Sequence, residues 1–357
     1  MLYFFGRVVN KFNLLVINYV MDQNDRLLSH QVEIVEEIAK QMDKIQVLTG
    51  RVGKVPSIGN VTIKSYSWVQ GKNLKNIFRL LFSFFQQVRH PKVSVVFSHM
   101  TLSQSIIILP LTKLFRIRHF VWYAHKSKNR LLNITYRMFD GILTSTLDSC
   151  PVESDRVFPI GQTINSKNFP INLKIEYPVS KLLHIGRFDP IKKIEDIIFS
   201  VEKLRRSYPN LTLDIVGSAS SENNLKYEIS VKTMANKFVN EGWLKFYPSV
   251  TRESIPSLLS NHDCFVHACD AAIDKVILEA TISKVPVVTT NVEYLKEFGS
   301  WGEYRVGSAS SLDFELDYLL RTSEDKLIEE VQMRYLRTME RHELKGWVER
   351  LIEIIKP

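Results

Sequence analysis

Cysteine is scarce: the 357 residues hold three, Cys150, Cys264 and Cys269. They are too few and too scattered for a disulfide framework or a structural zinc site, and they fit a reducing cytoplasm. No run approaches the roughly 20 consecutive apolar residues that a membrane span requires. The start, MLYFFGRVVNKF, has an apolar patch but neither an n-region nor a small-residue cleavage site, so no signal peptide is expected. Acidic residues are scarce in one half only. Residues 1–180 carry 11 Asp and Glu against 23 Lys and Arg, a balance of +12; residues 181–357 carry 27 against 24, a balance of −3. A basic half suits nucleic acid, an anionic membrane surface or a phosphorylated acceptor, and equally a merely soluble basic surface. What is present is ordinary for a globular protein: 45% hydrophobic and 24% charged residues, which excludes disorder, in a length comfortable for two domains.

Short β-branched runs alternate with longer helical patterns. Leu14–Val20, Ile45–Thr49, Val61–Ser67, Val93–Ser98, His119–Ala124 and Gly141–Thr146 read as strands, and the rhythm resumes with Lys181–Gly186, Leu211–Gly217, Leu244–Ser249, Asp263–Ala268 and Val285–Thr290. Near-continuous apolar strands between helices predict parallel sheets covered on both faces. A seam near residues 165–180, with two prolines and no periodicity, divides them into two doubly wound α/β domains. In such sheets ligands bind outside the carboxyl ends of strands, which gives weight to Ser98-His99, His125, Gly186-Arg187, Gly217-Ser218 and Cys269-Asp270.

Two stretches carry chemistry. In HIGRFDPIKKIEDIIFSVEKL, Arg187 and Lys192 stand across one strand-to-helix loop. A planar fork and a point charge can converge there on one anion, and lysines near a helix start are unfavourable unless an anion is present. The alternative is a solvated loop. In CDAAIDKVILEATISKVPVVTT, Asp274 and Lys275 stand at the mouth of a helix with Glu279 near its middle.

IGRFDPIKK, LDIVGS and FVHACDAAIDKVILEATISKVPVVTTN resemble the landmark blocks of the retaining GT-B glycosyltransferases of family 4, within glycosyl transferases group 1. LSHQVEIVEEIAKQMDKIQVLTG, FVWYAHKS and FPIGQTINSKNF resemble further segments of that family, so the likeness covers nearly the whole chain. It implies a GT-B fold: two Rossmann-like domains facing a cleft, an acceptor-binding domain over 1–172, a nucleotide-sugar-binding domain over 173–338, and a last helix over 339–357 crossing back to the first. It implies that Arg187 and Lys192 contact the donor diphosphate and that Glu279, on the second Glu of a Glu-x7-Glu block, accepts from the ribose hydroxyls. His125 falls on the family's active-site His, to contact the donor sugar or orient the acceptor hydroxyl. His99, ending another strand, is a weaker candidate. No protein nucleophile is implied, the leaving diphosphate helping to deprotonate the acceptor on the same face while Arg187 and Lys192 stabilise it. No cofactor or metal is expected: the Arg/Lys pair takes the place of a cation, and no Asp-x-Asp stands near a strand end.

The departures lie at the sugar end of the pattern. The first Glu of Glu-x7-Glu is Ala271, with Asp270 one position earlier; the usual glycines become Ala272 and Asp274, followed by Lys275; Pro248 and Ser218 alter the pocket rim. The loop is therefore expected to bring Asp274 and Lys275 to the donor's sugar and diphosphate, Asp270 taking part of the missing Glu's role, and Gly217 is expected among the donor-binding residues. The competing reading is a Lys275–Glu279 pair at i, i+4 with Asp274 as a helix cap. On the acceptor side, Leu74–Lys92 reads as an amphipathic helix with Ile77, Leu80, Leu81, Phe84, Phe85 and Val88 on its apolar face, a crossover covering the sheet in preference to a membrane-interface helix. A glycan or lipid-linked acceptor is expected, with peripheral contact at the inner face of a membrane through the basic half. Three other readings compete: a catalytically inactive GT-B scaffold, suggested by Ala271; a nucleotide-sugar epimerase, which would want paired carboxylates in the acid-poor half; and nucleic-acid binding, for which no recognition motif is present.

Overall fold

A computed structural model describes residues 12–25, 27–69, 73–89, 93–171, 175–269, 271–301 and 311–357. Asp270 and the 172/173 boundary lie outside the described residues. The chain folds as two compact units, one running to Thr163 and including Leu344–Pro357, the other Ile164–Glu343.

The first unit is built on strands β1 (Leu14–Met21), β2 (Ile45–Val52), β3 (Val61–Ser65), β4 (Val95–His99), β5 (Arg118–Trp122), β6 (Gly141–Thr144) and β7 (Val157–Pro159), all parallel, in the order β3-β2-β1-β4-β5-β6-β7. Alternation along β1 splits the core in two. Leu14 and Val16 face one side, where helix α1 (His30–Ala39) packs; Leu15 and Ile17 face the other, with α2 (Asn73–Arg89) and α3 (Leu102–Leu114). A short α4 (Arg130–Thr135) follows β5.

The second unit is a five-stranded parallel sheet, β8 (Lys181–Ile185), β9 (Thr212–Val216), β10 (Leu244–Tyr247), β11 (Cys264–His267) and β12 (Val287–Thr289), in the order β10-β9-β8-β11-β12. Helices α5 (Ile194–Arg205), α6 (Glu222–Asn240), α7 (Ile255–Ser260), α8 (Lys275–Ile282), α9 (Val292–Phe298), α10 (Leu312–Arg321) and α11 (Glu324–His342) follow in chain order. The order reverses between β8 and β11, so the loops leaving these two strands diverge and open a crevice at their carboxyl ends. Helix α12 (Leu344–Ile355) then joins the first unit, whose core holds Trp347, Leu351 and Ile355, and its Trp347 indole donates to the Gly161 carbonyl at 3.1 Å.

Two elements differ from expectation. Strand β7 was not anticipated: it is three residues long and ends in Pro159, which is tolerated because β7 is an edge strand. Helix α2 ends at Arg89 among the described residues, and Phe85, expected against the sheet, is 38% exposed. Leu80, Phe84 and Val88 do cover the sheet, as a crossover between β3 and β4 requires; Phe85 stands one residue, about 100°, further round the helix.

Candidate functional site

The site in the second unit starts at the end of β8. The Gly186 amide donates to the Val216 carbonyl at 3.0 Å, bringing the β8 and β9 exits together. They touch so closely that a Cβ on Gly217 would lie 1.8 Å from the Gly186 carbonyl oxygen, so no larger residue fits. Phe188, wholly buried, anchors the loop, and its amide donates to the Ser218 carbonyl at 3.3 Å. Asp189 then caps a single turn, Pro190–Lys192, accepting from the Ile191 amide at 3.2 Å, and Lys193 leaves it in the left-handed region at φ 47°. This winding turns Arg187 outward, where it has no partner among the described residues, and turns Lys192 inward, its side chain 11% exposed.

Lys192 meets the other side of the crevice. Its ammonium is hydrogen-bonded to Asp274 Oδ2 and lies 3.7 Å from Cys269 Sγ. Asp274 Oδ2 also accepts from His267 Nε2 at 2.9 Å, and His267 Nδ1 lies 2.9 Å from Thr289 Oγ1. The Asp274 carboxylate can only accept, so His267 carries its proton on Nε2, and Nδ1 is left to accept from the Thr289 hydroxyl, which itself accepts from the Asn291 amide at 3.0 Å. His267 is thus neutral: burial draws its pKa down against the pull of Asp274. Burial would raise the Asp274 carboxyl, but the His267 hydrogen bond and the Lys192 ammonium together hold it well below the usual carboxylate range. The Asn291 side chain donates to the carbonyls of Cys269 and Ala271, both at 2.9 Å, and Glu293 accepts from the Ile273 amide at 3.1 Å, which fixes the loop before α8.

Asp274 therefore occupies the N-cap position of α8 but makes no capping bond, its carboxylate being turned to Lys192 and His267; the expected cap is a cap in position only. The ligand atoms of His267, Cys269 and Asp274 lie within 4.8 Å of one another, a spacing that could suit a metal. The cation these groups hold is the Lys192 ammonium, and burial pushes the Cys269 thiol up, away from the thiolate a metal would want.

Glu279, on α8, is buried, and Oε1 accepts from Arg252 Nη2 at 2.6 Å. Arg252 opens the single turn Arg252–Ser254 after β10 and is 27% exposed. The i, i+4 spacing predicts Lys275 on Glu279; among the described residues the partner of Glu279 is Arg252. Arg252, His267 and Thr289 were not singled out from the sequence. The available signals were a lone arginine in a loop beyond a strand and two polar residues at the ends of apolar strands.

In the first unit, His125 follows β5 and is exposed, its ring edge-on to Tyr123 at 5.3 Å. His99, at the end of β4, is buried against the rings of Phe97, Trp122 and Trp347 at 5.9, 5.9 and 6.2 Å, a setting that makes it part of the core.

Residues 168–307, the span that holds the whole crevice, match the family model of glycosyl transferases group 1. The likeness to glycosyl transferases group 1 thus covers the crevice segment. No curated protein matches the chain in sequence. Among solved structures, a glycosyltransferase from Rickettsia africae is similar with a TM-score of 0.73 at 14% identity, covering 97% of this chain and 98% of that one. HepE of Anabaena, solved with UDP and glucose, is similar with a TM-score of 0.70 at 13% identity over 95% and 98% of the two chains. The lipopolysaccharide outer core galactosyltransferase WaaB gives 0.68 at 11% over 96% and 99%. At such identities the likeness speaks for the fold, which is GT-B; the residues that match group 1 fall within the second unit.

Proposed function

We propose that the chain is a retaining glycosyltransferase of the family 4 type, moving a sugar from a nucleotide-sugar donor to a glycan or lipid-linked acceptor in cell-surface polysaccharide or glycoconjugate synthesis. The observation that carries this reading is the charge arrangement at the β8/β11 crevice of the second unit. Arg187 stands exposed without a described partner, Lys192 is held on Asp274, and Glu279 is held by Arg252.

In this reading Arg187 and Lys192 receive the donor diphosphate, and Asp274 keeps Lys192 oriented until the diphosphate shares its charge. Glu279 accepts from the ribose hydroxyls through the oxygen that Arg252 does not use. Gly217 lets the β8 and β9 exits close on each other beside the nucleotide; Lys275 and Asp270 are assigned to the sugar and diphosphate end. As the acceptor oxygen bonds to the anomeric carbon, the bond to the diphosphate breaks, and the departing phosphate oxygen takes the acceptor proton on the same face. Arg187 and Lys192 balance the charge that develops on it. The cations at this step are Arg187 and Lys192, and no metal is assigned. On the first unit, His125 is assigned to orient the acceptor hydroxyl. HepE was solved with UDP-glucose, which makes a UDP-sugar the first donor to try.

Ala271, where the family pattern has its first Glu, favours a second reading, an inactive GT-B scaffold. Binding and hydrolysis of UDP-, GDP-, ADP- and dTDP-sugars by wild type, Arg187→Ala and Glu279→Ala separate the two. Saturable binding of one donor is expected, weakened about tenfold or more by each substitution, the loss of one charged hydrogen bond. No binding of any nucleotide sugar would sink the transferase; binding without hydrolysis or transfer to any acceptor would leave the scaffold.

A further inference from the structure

From Lys44 to Phe139 the sequence holds 16 Lys and Arg and no Asp or Glu. This run includes α2 and α3, which lie on one face of the seven-stranded sheet and share a core through Leu80, Phe84 and Ile108. The opposite side of α2 is uncovered. Leu74, Phe78 and Phe82, each four residues from the next and so in one stripe, are 74%, 70% and 64% exposed. Phe85 borders the stripe and meets the ring of Phe115, just past α3, at 6.0 Å, and Leu114 is exposed beside it. Cations rim this apolar face. Arg89 lies over the Phe85 ring at 5.3 Å, and Arg79 is steadied by a bond to the Ser67 carbonyl at 2.9 Å. Lys75 is exposed on α2, and Lys113 and Arg116 bracket Leu114 and Phe115; Lys113 pairs at 3.2 Å with Asp140, the first acid after the run.

We propose that this face of the first unit docks on an anionic lipid bilayer, α2 lying in the plane of the interface. Phe78, Phe82, Leu74 and Leu114 enter the acyl boundary while Lys75, Arg79, Arg89 and Arg116 meet headgroup phosphates. Charge decides the occupant. A second copy packed on the same face would set these cations against their own counterparts, with no acid in the run to pair them. A neutral bilayer would leave the cations unpaired as well. The surface stands on its own observations; its use, presenting a lipid-borne acceptor, rests on the proposed function.

The test is co-sedimentation of the full chain with vesicles of phosphatidylcholine alone or mixed with phosphatidylglycerol, at low and high salt. Wild type is expected to bind the mixed vesicles only and to release on raising salt. Phe78→Ser with Phe82→Ser, and separately Lys75→Glu with Arg89→Glu, are each expected to weaken that binding about tenfold or more, while circular dichroism melting stays that of wild type and soluble nucleotide-sugar binding is retained. All four side chains are exposed, so loss of folding is not anticipated, and the melting curve reports it if it occurs. Failure to sediment with either vesicle would overturn the proposal; a dimer in analytical ultracentrifugation that the phenylalanine variant abolishes would then assign the face to a second copy, and its absence would point to an acidic protein. Equal vesicle binding by wild type and the phenylalanine variant would also overturn it, because charge alone would suffice. Donor binding fails or succeeds independently in solution, so the two readings are judged apart.

Discussion

Lys192 and Asp274 are a pair in which neither partner can be removed alone. Removing one member of a buried pair typically costs about 3–5 kcal/mol, because the other charge is left uncompensated. Asp274 is 27% exposed, and water there relieves part of that cost. Asp274→Ala is therefore expected to lose about 2 kcal/mol in urea unfolding, and Asp274→Ala combined with Lys192→Met less than that. The pH dependence follows from the depressed carboxyl, whose ordinary value is 3.8. Its folded-state pKa lies below its unfolded one, so its contribution is complete above pH 3.8 and is lost as pH falls below it, by about 1.4 kcal/mol per pH unit. A gap between wild type and variant that did not narrow from pH 5 to pH 3 would show that lost packing, not lost charge, was measured. Arg252 is a positioning residue by the same logic. If it serves nucleotide binding through Glu279, then Arg252→Ala, Glu279→Ala and the double variant should weaken the donor by similar factors. Additive losses in that cycle would mean that Arg252 contacts the nucleotide directly.

Strands carry the next set of consequences. His119 on β5 and His184 on β8 are both wholly buried, and burial draws each imidazole down to about 3. His119 is hydrogen-bonded to Ser98 Oγ at 2.9 Å and meets the edge of Phe139 at 5.0 Å; His184 Nδ1–H donates to the Val266 carbonyl at 2.9 Å. The unfolded chain binds protons at these rings below pH 6.5 and the folded chain does not, so the stability of each unit should fall by about 1.4 kcal/mol per pH unit per ring between roughly pH 6 and pH 4. Urea midpoints across that range, with His184→Gln flattening the slope of the second unit alone, check this. Gly217→Ala is expected to force the β8 and β9 exits apart, at about 1–3 kcal/mol, and to abolish donor binding; unchanged donor affinity would remove the crevice from the site. Much of this level was legible beforehand. Apolar runs such as LLVINYV and LTLDIVG read as strands covered on both faces, and IGRFDPIKK marks its own loop because the Asp189–Lys193 turn is local, although the bonds that hold the loop to Val216 and Ser218 are not. Strand β7 was not legible, being three residues with a proline, nor were the Arg252–Glu279 and His267–Asp274 pairs. Arg252 leaves β10 and Glu279 follows β11, so their meeting depends on how the sheet orders its strands, and no local spacing encodes that.

Two features belong to the molecule as a whole. One is the division of charge, with the acid-free run confined to the first unit and the excess of acids to the half containing the second. The other is that the first unit is discontinuous in sequence: α12, the last element of the chain, completes a core begun at β1. Trp347 is wholly buried there, within 5.4 Å of the Trp122 ring and 6.2 Å of the rings of Phe97 and His99, and its indole N–H is satisfied by the Gly161 carbonyl. Nothing else in the last helix fills so much volume. Trp347→Ala should therefore cost about 3–5 kcal/mol, and the loss should fall on the first unit. Hydrogen exchange read segment by segment is the measurement: faster exchange in β1, β4 and β5 is expected, with protection in β8, β9 and β11 kept. The residues proposed to hold the donor nucleotide all lie in Ile164–Glu343, so donor affinity in the same variant should stay within about twofold, a change below 0.5 kcal/mol. Equal loss of protection in both sheets would mean that the units unfold as one cooperative block, and that the return of the last helix stabilises the second unit as much as the first.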